Sequence, residues 1–126
     1  MLSKMGKKAS VIMITMIIIF DEKASEKEIK NVTEVYEDYT KVVVDIEKEI
    51  LSAGGEYHID CEQLLIANGS SQKDLWGGGY RFTSSEVDFM ALTNYKPSIG
   101  HFTYEISIPE VREKVEKVIR EVFENE

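Results

Sequence analysis

Residues 40–55, TKVVVDIEKEILSAGG, decide how much of this chain is sheet, and two periods fit them. At 3.6 residues per turn, Tyr39, Val42, Val43, Ile46 and Ile50 form one apolar stripe, with Gly54 as a left-handed stop. At two residues per repeat, the run Val42 to Val44 is a strand, EKE turns, and ILSAGGEYHI returns beside it. We take the hairpin, because β-branched side chains lose rotamer freedom in a helix and pack well on a pleated surface.

The remaining elements arrange themselves around that hairpin. SEKE at 25–28 is a capping box, and Ile29, Val32, Tyr36 and Tyr39 recur at helical spacing, predicting a helix over 26–38. Asp60 and Gln63 form a second capping-box pattern before Leu64, Leu65 and Ile66, and NG at 68–69 stops that short helix. GGGYRF and EVDFMAL flank the polar turn TSS, which predicts a second hairpin over 78–92. Three consecutive glycines allow a bulge, or close approach by another chain or a ligand. Pro97 ends that strand and SIGHF is a loop. SIPE at 107–110 offers Ser107 as a cap ahead of a helix with the stripe Val111, Val115, Val118 and Val122. On its wet side Glu113 faces Lys117 and Glu116 faces Arg120. The order β-α-β-β-α-β-β-α predicts an α+β fold: a mainly antiparallel sheet of about five strands with helices packed on one face.

The chain's 126 residues suit one domain with one core. With 23 acidic against 15 basic residues, and no basic patch after residue 8, a nucleic-acid partner meets repulsion. One cysteine allows no internal disulfide and fits a reducing cytoplasm. Near the start, KMGKKAS precedes the apolar run VIMITMIIIF, which is too short to span a bilayer needing roughly 20 residues. It leads into DEKASEKE without a small-x-small cleavage site, so we read it as a buried strand, with no membrane partner. Met13 and Met16 are candidate translation starts, which would make residues 1–15 an extension and 16–126 the domain.

Chemistry gathers in two stretches. GGEYHIDCEQ puts Glu56, His58, Asp60 and Glu62 at every second position, as on one strand face. In the hairpin reading Asp45 and Glu47 lie beside Glu56 and His58, and four ionisable groups there must meet water or a cation. His58, Asp60 and Asp45 would then suit a divalent metal such as Mn, Mg or Zn, the competing reading being a solvated, charge-paired face. An N-cap role for Asp60 would instead occupy its carboxylate and take Glu62 off the His58 face. Cys61 is a core residue in the simplest account, and His58, three residues away, points to the opposite strand face. GSSQKDLWGGGY carries no phosphate-loop or dinucleotide pattern. It offers Gln72 and Asp74 beside the lone Trp76, itself either a half-buried core edge or a ligand platform.

The stretches VVVDIEKEI, GGEYHIDCEQLL, GSSQKDLWG and TNYKP resemble a family of small prokaryotic proteins of unknown function, across about residues 16–122. The matching positions are Asp45, Glu47, Gly54, Gly55, Glu56, His58, Asp60, Glu62, Gln72, Asp74, Trp76, Gly77 and Asn94. The resemblance implies a start near Met16 and assigns no activity. Glu49 stands where similar sequences often carry a glycine suited to a hairpin turn, and HFTY at 101–104 replaces a more basic loop, which argues against an anion site there.

Two functional classes follow. One is a small-molecule or divalent-metal binding domain whose site gathers Asp45, Glu56, His58, Asp60 and Asp74, with Gln72 and Trp76 holding a ligand. If it catalyses, metal-assisted hydrolysis is favoured over thiol chemistry, since nothing fixes a nucleophile. The other is a homodimeric or protein-interaction module paired through the first strand and the Gly-rich hairpin.

Overall fold

The computed structural model describes residues 17–124. The expected extension over 1–15, the start near Met16 and most of the first apolar run lie outside the described residues. Five strands form one antiparallel sheet: β1 (Ile18–Phe20), β2 (Tyr39–Asp45), β3 (Ile50–Ala53), β4 (Leu75–Arg81) and β5 (Glu86–Asp88), in the order β1-β3-β2-β4-β5. The described residues also form three α-helices: α1 (Glu26–Val32), α2 (His58–Ala67) and α3 (Pro109–Phe123), of which α1 and α2 connect strands and α3 follows the last. The α+β class, the single compact domain and both hairpins agree with the sequence reading.

Register explains the core. In the first hairpin Val42 pairs with Ala53 and Val44 with Leu51, while across β4 the same residues meet Gly78 and Trp76. Side chains alternate across a sheet, so Val42, Val44, Leu51, Trp76 and Tyr80 share one face, where Val115, Val118, Ile119 and Val122 of α3 complete the main core. The opposite face holds Val43 and Leu75, covered by Cys61 and Leu65 of α2. Helices therefore occupy both faces, where the sequence reading placed them on one; the local period of α2 cannot say which side of the sheet it covers.

Several boundaries moved for identifiable reasons. The Ser25–Glu28 capping box forms as expected, but α1 stops at Val32. Asp38 adopts a left-handed φ of 64° and its carboxylate accepts from the Thr83 amide (2.9 Å) and hydroxyl (2.6 Å), turning the chain into β2. Asp60 caps nothing: α2 begins at His58 after Tyr57, without a side-chain cap. Asn68 and Gly69, at φ 105°, end α2 as predicted. Ser107 is not the α3 cap, since Pro109 opens that helix and the Ser107 amide donates instead to His101 Nε2 at 3.0 Å. Glu116 pairs with Arg120 as expected, whereas Lys117 pairs with Glu121 and Glu49 and not with Glu113.

All three glycines of GGGYRF are buried inside β4, and the chain's own residues make the close approaches. A methyl at Gly77 would collide with the Ala91 methyl, one at Gly78 with the Asp88 carbonyl, and one at Gly79 with the Tyr39 hydroxyl. The Gly-rich strand lies between β2 and β5, which leaves β5 as the edge of that hairpin.

Candidate functional site

The space left by Gly77 shapes the site. It lies under the first turn of α2 and admits the His58 ring, whose Cδ2 would be 3.2 Å from a Cβ at that position. His58 Nε2 then reaches the Gly78 carbonyl at 2.7 Å. A carbonyl only accepts, so Nε2 carries the hydrogen. Burial is the main cause that lowers the His58 pKa from 6.5; the positive charge of Lys41 adds to it, while the Gly78 bond and Asp88 oppose it. At neutral pH Nδ1 is therefore a bare acceptor.

Glu62 follows His58 by four residues and lies on the same face of α2. It is only 7% exposed, and its Oε2 accepts from the Thr93 hydroxyl at 2.8 Å and the Gln72 amide at 3.0 Å. Three segments distant in sequence thus fix one carboxylate. Lys96 braces the same corner: its ammonium donates to the Gln72 carbonyl at 3.0 Å and lies 5.1 Å from the centre of the Trp76 ring. Burial pulls the Lys96 pKa down, and the charges of Glu62 and Asp74 resist that shift.

Asn94 holds the loop that carries Thr93 and Lys96 onto the sheet. Its amide nitrogen donates to the carbonyls of Phe89 (3.0 Å) and Tyr104 (2.9 Å) besides bonding Gly77. Completely buried, it meets all its hydrogen-bonding needs within the chain.

The result is a cleft of about 440 Å³ between α2 and the 92–95 segment, lined by Lys41, Tyr57, His58, Glu62, Gln72 and Tyr95, with Ile59, Leu92 and Thr93 completing the wall. That volume falls within the range of small-molecule pockets, and the mixture of apolar wall and few convergent polar groups is typical of them.

Of the residues expected to form the site, His58 and Gln72 meet in this cleft, beside Glu62. The others do not. Asp45 shares the α2 face of the sheet, but its Oδ1 accepts from the Glu47 and Lys48 amides (2.9 Å each) and its Oδ2 from the Ser70 hydroxyl at 2.6 Å. It closes the 46–49 turn. Asp45 pairs with Leu75 and Val42 with Gly78, which sets Asp45 about 10 Å along the sheet from His58 at ~3.3 Å per residue. Asp74 lies at that same far end, its carboxylate facing Lys73 at 3.2 Å and its carbonyl accepting from Ile46. Glu56 and Asp60 are exposed. Trp76 is 2% exposed in the main core, wedged against His101 at 5.2 Å between ring centres, and is not part of the cleft wall. The expected metal trio of His58, Asp60 and Asp45 is not assembled, and among the described residues no group of three His, Cys, Asp or Glu side chains could hold a metal ion. Cys61 is fully buried, with its pKa raised chiefly by burial, as an inert core thiol requires.

Glu62, Thr93, Lys41, Tyr57 and Tyr95 were missed as site residues. The alternation in GGEYHIDCEQ suggests a strand, which separates His58 from the residues it actually joins. The available signal was the i,i+4 spacing of His58 and Glu62, which becomes meaningful once the helix starts at His58.

Fold and cleft together define a single-domain α+β protein with a preformed pocket between one helix and a sheet-anchored loop. The chain belongs to the family described as Protein of unknown function (DUF5674), which matches residues 17–122. No curated protein and no solved structure matches the chain significantly. Among the described residues no helix is long and apolar enough to cross a membrane.

Proposed function

We propose that this domain binds a small organic molecule in the cleft between α2 and the 92–95 segment. The observation that carries this reading is the Glu62 carboxylate, held at 7% exposure by Thr93 and Gln72 at the wall of a cavity with Tyr57 and Tyr95 at its rim. Burying a charge is costly unless it is used or paired. Here two neutral donors hold the carboxylate and the nearby Lys96 charge offsets part of its cost, and a ligand could supply further compensation. Binding is favoured over catalysis, because the one hydroxyl paired with a carboxylate among the described lining residues, that of Thr93, serves to hold Glu62 in place. A cytoplasmic setting without nucleic-acid or membrane partners fits the single thiol and the acidic charge.

The test is a fragment screen by amide NMR on the full chain. Hits should shift the amides of Tyr57, His58, Glu62 and Leu92 together and saturably. Hits mapping only elsewhere, or no hits, would remove the proposal.

A second reading, a homo-oligomeric or protein-interaction module, draws on a different observation. Leu92, Tyr95, Ile99, Phe102 and Tyr104 are all exposed, and Tyr95 packs against both Phe102 and Tyr104. Contiguous apolar surface of this kind often serves association. Light scattering across a concentration series would separate the readings, a persistent monomer counting against self-association.

A further inference from the structure

We infer that the cleft selects a compact organic cation, an aryl amidine or arylalkylamine, whose N–H groups donate to Glu62 and His58 while its flat body rests on the tyrosine rim. This rests on the ligand-cleft reading above and narrows it to a chemical class.

The first argument is the inventory of free groups. Among the described residues both donors to Glu62 use Oε2, which leaves Oε1 without a partner there. Among the described residues, the one enclosed side-chain polar atom lacking a partner is Ser52 Oγ. Glu62 Oε1 is therefore open to the cavity that its side chain lines. The same holds for His58 Nδ1, since Nε2 is committed to the Gly78 carbonyl. Two acceptors thus face the cleft from one side of α2, about 6 Å apart along the helix axis at ~1.5 Å rise per residue. Neither can donate a hydrogen bond in this state, so a ligand must bring the donors.

The second argument is charge. An anionic ligand would meet the fixed, poorly hydrated Glu62 carboxylate on a chain of net charge -8. A cation gains from that field and forms a charge-assisted hydrogen bond. The rim adds to the selection: Tyr57 and Tyr95 are 57% and 45% exposed, and aromatic faces attract cations. Two cations oppose it: the Lys96 ammonium is committed to the Gln72 carbonyl and lies near the Trp76 ring, and the Lys41 ammonium, at the cleft wall, is drawn toward the Tyr36 ring, 5.3 Å from the ring centre.

The experiment compares three probes of similar shape, benzamidine, benzoate and benzyl alcohol, by amide NMR titration of the full chain. Benzamidine should shift the Tyr57, His58 and Glu62 amides saturably and bind at least about tenfold more tightly than benzoate, the scale of one charge-assisted hydrogen bond. Glu62→Gln keeps an oxygen for the Thr93 hydroxyl and should weaken benzamidine by about tenfold. Lys41→Met removes one opposing charge without touching the Glu62 network and should tighten benzamidine several-fold. Benzoate or benzyl alcohol binding the cleft as well as benzamidine does would overturn the cation assignment and leave the ligand-cleft reading standing. If no probe of any charge shifts these amides, both fall. An unchanged benzamidine affinity in Glu62→Gln, or a weaker one in Lys41→Met, also overturns the assignment.

Discussion

Asn94 reads Gly77 as a neighbouring strand would: its Oδ1 accepts from the Gly77 amide at 2.7 Å and its Nδ2 donates to the Gly77 carbonyl at 3.0 Å. Removing that side chain leaves several buried backbone groups without partners, each costing about 1–3 kcal/mol. Asn94→Ala should therefore lose at least about 3 kcal/mol by urea denaturation. A loss below about 1 kcal/mol would mean that water replaces the amide freely.

The collision at Gly77 can be tested by compensation. Gly77→Ala should cost about 1–3 kcal/mol, the scale of overpacking in a close-packed interior. Ala91→Gly removes the methyl it meets, so the double variant should recover part of that loss. Strict additivity of the two changes would show that they do not touch.

Glu49 sits at φ 59°, where L-residues are strained and glycine is not. Among the described residues its side chain pairs only with Lys117 at 3.7 Å, with both side chains more than half exposed, a pair that contributes little. Glu49→Gly should raise stability by up to about 1 kcal/mol. A lower denaturation midpoint would place the strain elsewhere in the turn.

His58 should make stability pH-dependent. Its folded pKa lies below the ordinary 6.5, with burial as the first cause. The unfolded chain thus binds more protons near and below that pH, and stability falls as pH drops through about 6.5, levelling below the folded value. The wild-type loss between pH 7 and 5 should exceed that of His58→Gln, most carboxylates titrating lower. Parallel profiles for the two proteins would show that His58 titrates alike in both states.

The parts of the fold legible in the sequence were those set by local chemistry. Val42 to Val44 favour a strand because of their branching, the Ser25–Glu28 box starts α1, and Asn68–Gly69 stop α2. What was hidden depends on contacts distant along the chain. Tyr39 continues the helical stripe after Ile29 and Val32, yet the Asp38–Thr83 contacts and the Tyr36 hydroxyl on the Glu56 carbonyl at 2.7 Å draw that segment into the sheet. The site was half visible for the same reason. His58 and Gln72 stood out as polar residues in unusual stretches, and they do share the cleft. Thr93 and Tyr95 lie in the TNYKP stretch, where nothing local points to a cleft, and Lys41 has no pattern to mark it. Asp45 looked available because a sequence does not reveal that Ser70 and two turn amides already saturate it.

Beyond Gly79, where β5 stops pairing, the outer border of β4 is closed by the Asn94 side chain and not by a further stretch of ladder. Open borders of this kind recruit strands from other molecules. The Asn94 amide and the 89–94 segment it anchors thus screen this border, so a variant lacking that amide would be prone to self-template into aggregates as well as to unfold.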